Sequence, residues 1–544
     1  MRLSELQEVA SLAGIATCVK LLLVPTYHST DFEVHRNWLA ITHSLPLKNW
    51  YSDESSEWTL DYPPFFAYFE CFLSIFASML DPQITHLQNG QGYASNTVIL
   101  FQRISVMVAD LFLYWGVCKI SRHLSAVRKK LLLLAVIFSP GLFIVDHIHF
   151  QYNGFLLGML LLSLAALQDG HDLLGGFWFA VLVCFKHLFA VAGPIYFVYL
   201  LRHYCRGPQK VLRFFKLAGT VVGVLVVAFG PFAYYNQIPQ VIKRLFPFGR
   251  GLCHAYWAPN IWALYNIVDK AAAIVLRKIG VHVNVPQAAL TGGLVGDFSP
   301  NALLPQITPK ISALLVVGTM LPCLVQAWRH PRKTDVARWV VYAYACGFMF
   351  GWHVHEKASL HMVIPFSILA VQSLQDAGDF IFIATVATYS LFPLLFEAKE
   401  YPIKVLLLVL YILVMWVSFA HNMMERGELN SNEASVPISD SFVHESCNLE
   451  KLDEGKNVEK QPKEEGMQLL SIFEKVYLAG LVLVEIYGQV LHPFFLRDHL
   501  PFLPLMLISG YCSIGMLYFW AGQFFKIAFM SGFHIEQLPH MKKA

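Results

Sequence analysis

Chemically reactive side chains are concentrated between residues 28 and 64, directly after the first apolar segment of the chain. Carboxylates at the edge of a bilayer must be hydrated, paired or bound to substrate, so their presence there is costly without a use. We therefore interpret this stretch as part of an active site. Its acids and their basic neighbours are Asp31, Glu33, His35, Arg36 and Asp61.

Further polar clusters follow later apolar segments. They are Asp146 to Asn153, with His149 and Gln151, then Lys186 with His187, Arg244 with Arg250, and His353 to Lys357, with His355. A carboxylate can deprotonate an attacking hydroxyl, and cations can stabilise a departing phosphate. Since a phosphate leaves without a general acid, one carboxylate can suffice. The combination suits group transfer from a phosphate-activated donor.

Simpler roles exist for several of these residues. Asp31 could cap a helix, which is compatible with catalysis, and Asp61 could be a turn acid ahead of a proline-started helix. His147 and His149 are weak evidence for a metal without a third ligand of known position, so no tightly bound metal is predicted. Lys186 is either a snorkelling lysine or a phosphate ligand.

Composition indicates a membrane protein. Of 544 residues, 56% are hydrophobic and 14% charged, whereas an average soluble domain has about 25% charged residues. The net charge of +3 is spread over short clusters, which argues against nucleic acid and favours lipid or lipid-linked substrates. Most of the ten cysteines lie in apolar segments, which is typical of core residues and not of a disulfide framework. A disulfide between Cys71 and Cys253 stays open.

Apolar runs and the basic clusters between them predict a topology of about fourteen spans. The basic cluster at 119–130 is cytoplasmic by the positive-inside rule, so residues 27–97 form one long exoplasmic loop. Within it, the run 65–80 is short for a span and is assigned to an interfacial helix. Residues 175–202 are expected to form two short helices that meet at Lys186. All the polar clusters then lie on the exoplasmic side.

The remaining parts of the chain are assigned by composition. Residues 258–309 are apolar but interrupted by charges, and we treat them as interfacial or re-entrant. The segment 421–469 is rich in Glu, Ser, Asn and Lys, as in a solvated, disordered cytoplasmic linker. The chain therefore divides into a membrane body (1–420), this linker, and a C-terminal transmembrane hairpin with a tail (470–544).

Five motifs resemble, in the same order, those of the endoplasmic-reticulum glucosyltransferases that use dolichyl-phosphate glucose. They are Asp31 to Trp38, Leu60 to Pro64, Asp146 to Gly154, Arg244 to Phe248 and Val354 to Lys357. The segment 251–266 is similar to that of the member that adds the second glucose, in α-1,3 linkage, to the monoglucosylated lipid-linked oligosaccharide. The alternatives are the first glucosyltransferase of that pathway and a lipid-linked sugar transporter or flippase. A transporter would place its polar groups near the middle of the bilayer.

The resemblance implies an all-α, GT-C-type glycosyltransferase fold in the endoplasmic reticulum membrane, with a lumenal active site. It implies an inverting single displacement without a cofactor, with Asp31 as general base. Its substrates would be dolichyl-phosphate glucose and a dolichyl-pyrophosphate-linked oligosaccharide. The residues expected to bind the donor phosphate are Lys186, Arg244, Arg250, His355 and Lys357. Those expected to order the acceptor or the first loop are Glu33, His35, Arg36, Asp61, His149, Gln151 and Asn153.

Overall fold

The computed structural model describes most of the chain, and all regular secondary structure in the described part is helical. The described residues are 3–248, 251–253, 258–283, 301–434, 468–496 and 499–529. Arg250 lies outside them, as do parts of the predicted segments 251–266 and 258–309. So does most of the predicted linker, although its first residues continue a helix to Ala434.

In the described residues twenty-one α-helices follow one another, several of them joined by short 3-10 or π turns. The first seven are α1 (Leu3–Leu22), α2 (Thr30–Ser44), α3 (Pro64–Leu80), α4 (Asn96–Ala109), α5 (Leu111–Ile120), α6 (Ala126–Ile137) and α7 (Pro140–Leu142). The next seven are α8 (Asn153–Gln168), α9 (Asp172–Phe185), α10 (Gly193–His203), α11 (Lys210–Tyr234), α12 (Ile238–Leu245), α13 (Ile261–Lys278) and α14 (Pro309–Arg329). The last seven are α15 (Val336–Phe350), α16 (Leu360–Ala370), α17 (Leu374–Ser390), α18 (Tyr401–Ala434), α19 (Ile472–Ile486), α20 (His492–Phe495) and α21 (Leu503–Phe529).

Eight stretches of the described chain are long and apolar enough to cross a membrane, so this is a polytopic membrane protein. They are Asn96–Ile120, Ala126–Ile148, Lys210–Tyr234, Pro309–Arg329, Leu374–Leu394, Ala398–His421, Ile472–Phe495 and Leu503–Phe529. Four shorter apolar helices accompany them, namely α3, α8, α9 and α15. The sequence-based count of about fourteen includes such shorter helices, which length alone does not qualify as spans.

One of the two helix breaks near the polar clusters was predicted from the sequence. The expected break at Lys186 is confirmed, since α9 ends at Phe185 and a 3-10 turn leads into α10. The first long apolar stretch after the predicted exoplasmic loop, Asn96–Ile120, breaks at Asp110, between α4 and α5. The Asp110 carboxylate pairs there with Lys20 of α1 at 2.6 Å and with His147 at 2.9 Å. A charge pairing of this kind between distant segments has no local sequence signal.

Close packing of α5 against α8 fixes the start of α8 near the polar clusters. A Cβ atom on Gly158 would lie 2.5 Å from the backbone carbonyl of Phe112, so only glycine permits this approach. Nearly every residue of α8 is buried. The helix therefore provides a rigid base for Asn153, its first residue.

The predicted exoplasmic loop is held together by Arg36, which is wholly buried. Its guanidinium pairs with Glu33 at 2.7 Å and donates to the carbonyls of Ile84 and His86 at 3.1 and 3.2 Å. The apolar run 65–80 forms a helix as predicted, α3, which packs against α2. These contacts fix α2, on which Asp31 lies.

The last helix, α21, joins the body through a partly buried ionic cluster. Asp376 of α17 pairs with Arg338 of α15 at 2.7 Å and with Lys526 of α21 at 3.0 Å. Lys526 also contacts Asp379 at 2.7 Å. We call these four residues the C-terminal clamp.

The described cysteines are all free thiols, including Cys71 and Cys253. The prediction that they form no disulfide framework is confirmed for the described part of the chain. The disulfide left open between Cys71 and Cys253 is not formed.

Candidate active site

Asp31 lies in the first turn of α2, where a negative charge is favoured by the helix dipole. The capping alternative is wrong, because Ser29 occupies the N-cap position. The Asp31 side chain is 22% exposed. Its Oδ2 accepts hydrogen bonds from Lys357 Nζ and Gln151 Nε2, both at 2.7 Å. His149 Nε2 lies 3.3 Å from the same oxygen.

The second oxygen of Asp31, Oδ1, has no polar contact with the described side chains. All three side-chain contacts that the described residues make with Asp31 go to Oδ2. Burial raises the pKa of the Asp31 carboxyl, but Lys357 and His149 outweigh it and hold the pKa well below its usual value. Asp31 is thus a carboxylate at neutral pH, and among the described residues none donates a hydrogen bond to its Oδ1.

Lys357 comes to Asp31 from the far end of the sequence. It belongs to a 3-10 turn, Glu356–Ser359, that leads into α16. Its side chain is 10% exposed, so its ammonium group is largely shielded from water. The imidazole rings of His355 and His353 lie nearby along the chain, 6.1 Å apart.

The segment between Asp146 and α8 supplies the other contacts of Asp31. Phe150 has a φ of 82°, which is rare for a residue with a side chain. This left-handed residue separates His149 and Gln151, so both side chains can reach Asp31 Oδ2. Strained backbone of this kind persists where the surrounding structure enforces it.

A hydrogen-bonded row links Asp31 to Lys186. Gln151 Oε1 accepts from Asn153 Nδ2 at 2.8 Å, and Asn153 Oδ1 accepts from Lys186 Nζ at 3.1 Å. Asn153 also donates to Asp146 Oδ1 at 2.9 Å. The structure thus brings together five of the predicted site residues. They are Asp31, Gln151, Asn153, Lys186 and Lys357, with His149 as a sixth beside them.

Lys186 lies at the C-cap of α9 and is buried. Its ammonium nitrogen is 5.2 Å from the centre of the Tyr62 ring, a cation–π contact. Burial lowers the pKa of Lys186 to about 8 against the raising effect of Asp146. Lys186 is therefore mainly cationic at pH 7 but close to its titration range.

Other predicted residues lie apart from this row. His35 Nδ1 is 2.6 Å from Glu70 of α3, and Glu33 and Arg36 pair with each other. Asp61 precedes α3, which begins at Pro64 as predicted. Arg244 of α12 reaches the first loop instead, donating to the Tyr51 carbonyl at 3.2 Å and pairing with Glu54 at 3.0 Å. The predicted ligand Arg250 lies outside the described residues.

Two residues of this region were missed by sequence reasoning. Tyr27 Oη lies 2.8 Å from His149 Nδ1 and donates to the carbonyl of Leu394. Arg103 of α4 donates to the carbonyls of His147 at 2.6 Å and Tyr27 at 3.0 Å. Arg103 had a usable signal, because a charge within an apolar span is costly unless it has partners. Tyr27 had none beyond its position before the polar loop.

Fold and site together define a multi-pass membrane protein in which a carboxylate and two lysines meet at helix ends. In the described part no three His, Cys, Asp or Glu residues are grouped as metal ligands. Residues 16–523 match the model of the ALG6, ALG8 glycosyltransferase family. The chain belongs to this family and is therefore a membrane glycosyltransferase.

Curated relatives are similar over nearly the whole chain. A protein of Arabidopsis thaliana is 56% identical over 516 residues, covering 94% of this chain and 96% of its own. A mouse protein is 41% identical over 535 residues, covering 94% of both chains. One from Schizosaccharomyces pombe is 41% identical over 541 residues, covering 95% of this chain and 97% of its own. Each is named dolichyl pyrophosphate Glc1Man9GlcNAc2 alpha-1,3-glucosyltransferase.

Proposed function

We propose that this enzyme transfers glucose from dolichyl-phosphate glucose to the lipid-linked oligosaccharide Glc1Man9GlcNAc2, forming an α-1,3 linkage. The relatives' names specify this acceptor, and the sequence motifs suggest the donor. The observation that carries the mechanism is the 2.7 Å contact between Asp31 and Lys357. It holds a candidate base and a candidate phosphate ligand side by side.

The reaction is a single displacement at C1 of the donor glucose. Asp31 Oδ1 accepts the proton of the acceptor hydroxyl as its oxygen attacks C1. The bond from C1 to the phosphate oxygen breaks, and its electron pair leaves with dolichyl phosphate. Attack opposite the leaving group converts a β-linked donor into an α-linked product.

The leaving phosphate gains negative charge as this bond breaks, and nearby cations stabilise it most when preorganised and shielded from water. Lys357 and Lys186 meet this description, since both are largely buried. We assign His355, Arg244 and Arg250 to the same anion as further ligands. Of these, Arg244 would have to release Glu54, its present partner.

The other predicted residues order the site. Gln151, Asn153 and His149 position the Asp31 carboxylate through the contacts described above. The first loop is ordered by Glu33, His35, Arg36 and Asp61, which hold α2 or lie beside α3.

We further propose a GT-C-type fold of about fourteen spans in the endoplasmic reticulum membrane, with the site facing the lumen. The cytoplasmic linker 421–469 would divide the body, residues 1–420, from the hairpin and tail, residues 470–544. Protease protection of epitopes placed in residues 52–57 and 440–460 tests this topology, since only the second should be cleaved in sealed microsomes.

The activity is tested with purified protein, dolichyl-phosphate glucose and either the unglucosylated or the monoglucosylated acceptor, in the presence of a chelator. Glucose should be incorporated only into the monoglucosylated acceptor. The variant Asp31→Asn should lose at least about 100-fold in kcat. Asp335→Asn, which removes a salt-bridged acid outside the site, serves as the matched control.

Each other outcome has a defined meaning. Use of only the unglucosylated acceptor would assign the chain to the first glucosylation step. Transfer to neither acceptor by folded protein would overturn the proposal and favour a lipid-sugar transporter. Activity that the chelator abolishes would require a metal that the proposed mechanism does not use.

A further inference from the structure

The hydrogen bonds around His149 determine which of its nitrogens carries a proton. Tyr27 has one hydroxyl proton, and the Leu394 carbonyl, which can only accept, lies within hydrogen-bond reach of it. Tyr27 therefore donates to Leu394. Its oxygen must then accept the second hydrogen bond, so His149 Nδ1, at 2.8 Å, is the donor.

A neutral His149 consequently has its lone pair on Nε2. This nitrogen faces Asp31 Oδ2, another acceptor, at 3.3 Å. The separation is longer than the roughly 2.7–3.2 Å of an N–H to oxygen hydrogen bond. A proton on Nε2 would therefore complete a good hydrogen bond between His149 and Asp31. Asp31 is the residue that receives a proton in the reaction.

The imidazole is held firmly in this orientation. The backbone N–H of His149 donates to the Ile144 carbonyl at 2.8 Å, and its own carbonyl accepts from the Ser29 hydroxyl. Its side chain is 9% exposed. A ring fixed in this way cannot exchange its two nitrogens without breaking the bond to Tyr27.

The charged groups that act on His149 keep it neutral before the reaction. Burial and the cation Lys357 lower the pKa of His149, Arg103 lowers it further, and Asp31 raises it without reversing the net shift. The groups facing the ring are Asp31 of α2, Arg103 of α4, Tyr27, and Lys357 from the turn before α16. His149 Nε2 is therefore unprotonated, with its lone pair available, when the acceptor hydroxyl gives up its proton.

We propose that His149 is the second proton acceptor of the reaction, receiving from Asp31 the proton taken from the acceptor hydroxyl. This inference rests on the proposed function. After glucosyl transfer the proton is on Oδ1 of Asp31, and dolichyl phosphate has taken the electron pair of the broken bond. A half-turn about the terminal torsion of Asp31, which is soft and two-fold, brings the proton to Nε2.

The transfer restores the Asp31 carboxylate and makes His149 an imidazolium ion. The imidazolium then donates to Tyr27 through Nδ1 and to Asp31 through Nε2, so both of its N–H groups are satisfied. It returns to the neutral form by losing the Nε2 proton to water as product leaves. Tyr27 is a positioning residue in this scheme, because it selects the tautomer and touches no substrate.

The variant His149→Gln keeps a hydrogen-bonding side chain but cannot take up a proton. Its kcat should fall about 10- to 100-fold at pH 6.5, with each substrate KM within about threefold of wild type. The loss should shrink as the pH rises, because hydroxide becomes more abundant and can remove the Asp31 proton in place of His149. His203→Gln is the matched control, since His203 lies 2.8 Å from Asp172 in a pair remote from Asp31.

Tyr27→Phe tests the tautomer separately. Without the hydroxyl, neutral His149 can place its proton on Nε2 and donate to Asp31, so it no longer accepts. We expect Tyr27→Phe alone to lower kcat about tenfold. Added to His149→Gln, the same substitution should cause no further loss. Tyr411→Phe is the control, because its buried hydroxyl also donates to a backbone carbonyl, at 2.8 Å from Ala135.

The outcomes separate this inference from the proposed function. Wild-type transfer to the monoglucosylated acceptor in the same assay shows that the enzyme activity stands. The relay is overturned if His149→Gln keeps kcat within twofold, or if its loss is equal at every pH. Additive losses in the double variant would likewise assign both residues a purely structural role. If His149→Gln does not fold, a Tyr27→Phe kcat equal to wild type overturns the tautomer assignment.

Discussion

If Lys186 binds the donor phosphate as proposed, the rate of glucosyl transfer should depend on the charge of this lysine and therefore on pH. Burial lowers the pKa of this lysine to about 8. Since kcat/KM reports ionisations of the free enzyme, it should change little between about pH 6.5 and 7.5 and fall above 8. At pH 9 about one molecule in ten retains the charge, so kcat/KM for the donor should be about tenfold lower, or about 1.4 kcal/mol.

The variant Lys186→Arg provides the comparison, because a guanidinium stays charged throughout this range. Its absolute rate will be reduced by the larger side chain, but its kcat/KM should not decline between pH 8 and 9.5. The assay is initial-rate glucose incorporation at subsaturating donor, in buffers of constant ionic strength. Parallel profiles for wild type and Lys186→Arg would refute the reasoning, because the decline would then belong to another group.

The pH dependence of folding stability tests the lowered pKa of Lys186 independently, because the direction of the change is fixed. A lysine whose folded pKa lies below its unfolded value of 10.5 binds fewer protons when folded. The free-energy cost of burying the charged lysine is present in full below pH 8 and decreases as the pH rises from 8 towards 10.5. The thermal stability of wild type relative to Lys186→Met should therefore improve across this window, measured by melting in detergent.

Three further predictions concern the frame of the site. Gln151→Ala removes a donor to Asp31 and the link to Asn153, so kcat should fall about tenfold or more with little change in KM; an unchanged kcat would contradict this. Arg103→Met leaves buried carbonyls without a donor and should cost about 3 kcal/mol of stability, visible as a lower melting temperature. Gly158→Ala should also lower the melting temperature, because its Cβ would meet the α5 backbone, whereas Gly223→Ala, with open space around it, should not.

Sequence reasoning predicted that the polar groups of remote segments lie together better than it predicted the group that each one touches. The positive-inside rule placed the residues around 31, 149, 186 and 357 together, and the structure brings them into contact. The break at Lys186 was predicted because the basic residues after position 201 mark the next loop as cytoplasmic, which two short helices allow and one helix does not. Both predictions depend on local composition, which the sequence carries directly.

Specific pairings could not be predicted, because they join segments that are remote in sequence. His35 was expected to serve the loop or acceptor, but nothing near it in sequence indicated Glu70 as its partner. Tyr27 acts through one hydroxyl and the Leu394 carbonyl, whose closeness depends on the whole helical arrangement. The break at Asp110 likewise depends on Lys20, a charge ninety positions earlier.

The C-terminal clamp implies that the covalent link across residues 435–467 is dispensable for joining the two parts of the chain. Arg338, Asp376, Asp379 and Lys526 hold α21 to the body through partly buried ion pairs, independently of that link. Two separately translated pieces, one ending after α18 and one beginning before α19, should find each other in the same membrane. The enzyme would then be suited to split-gene complementation, in which each piece is inactive until the other is co-expressed.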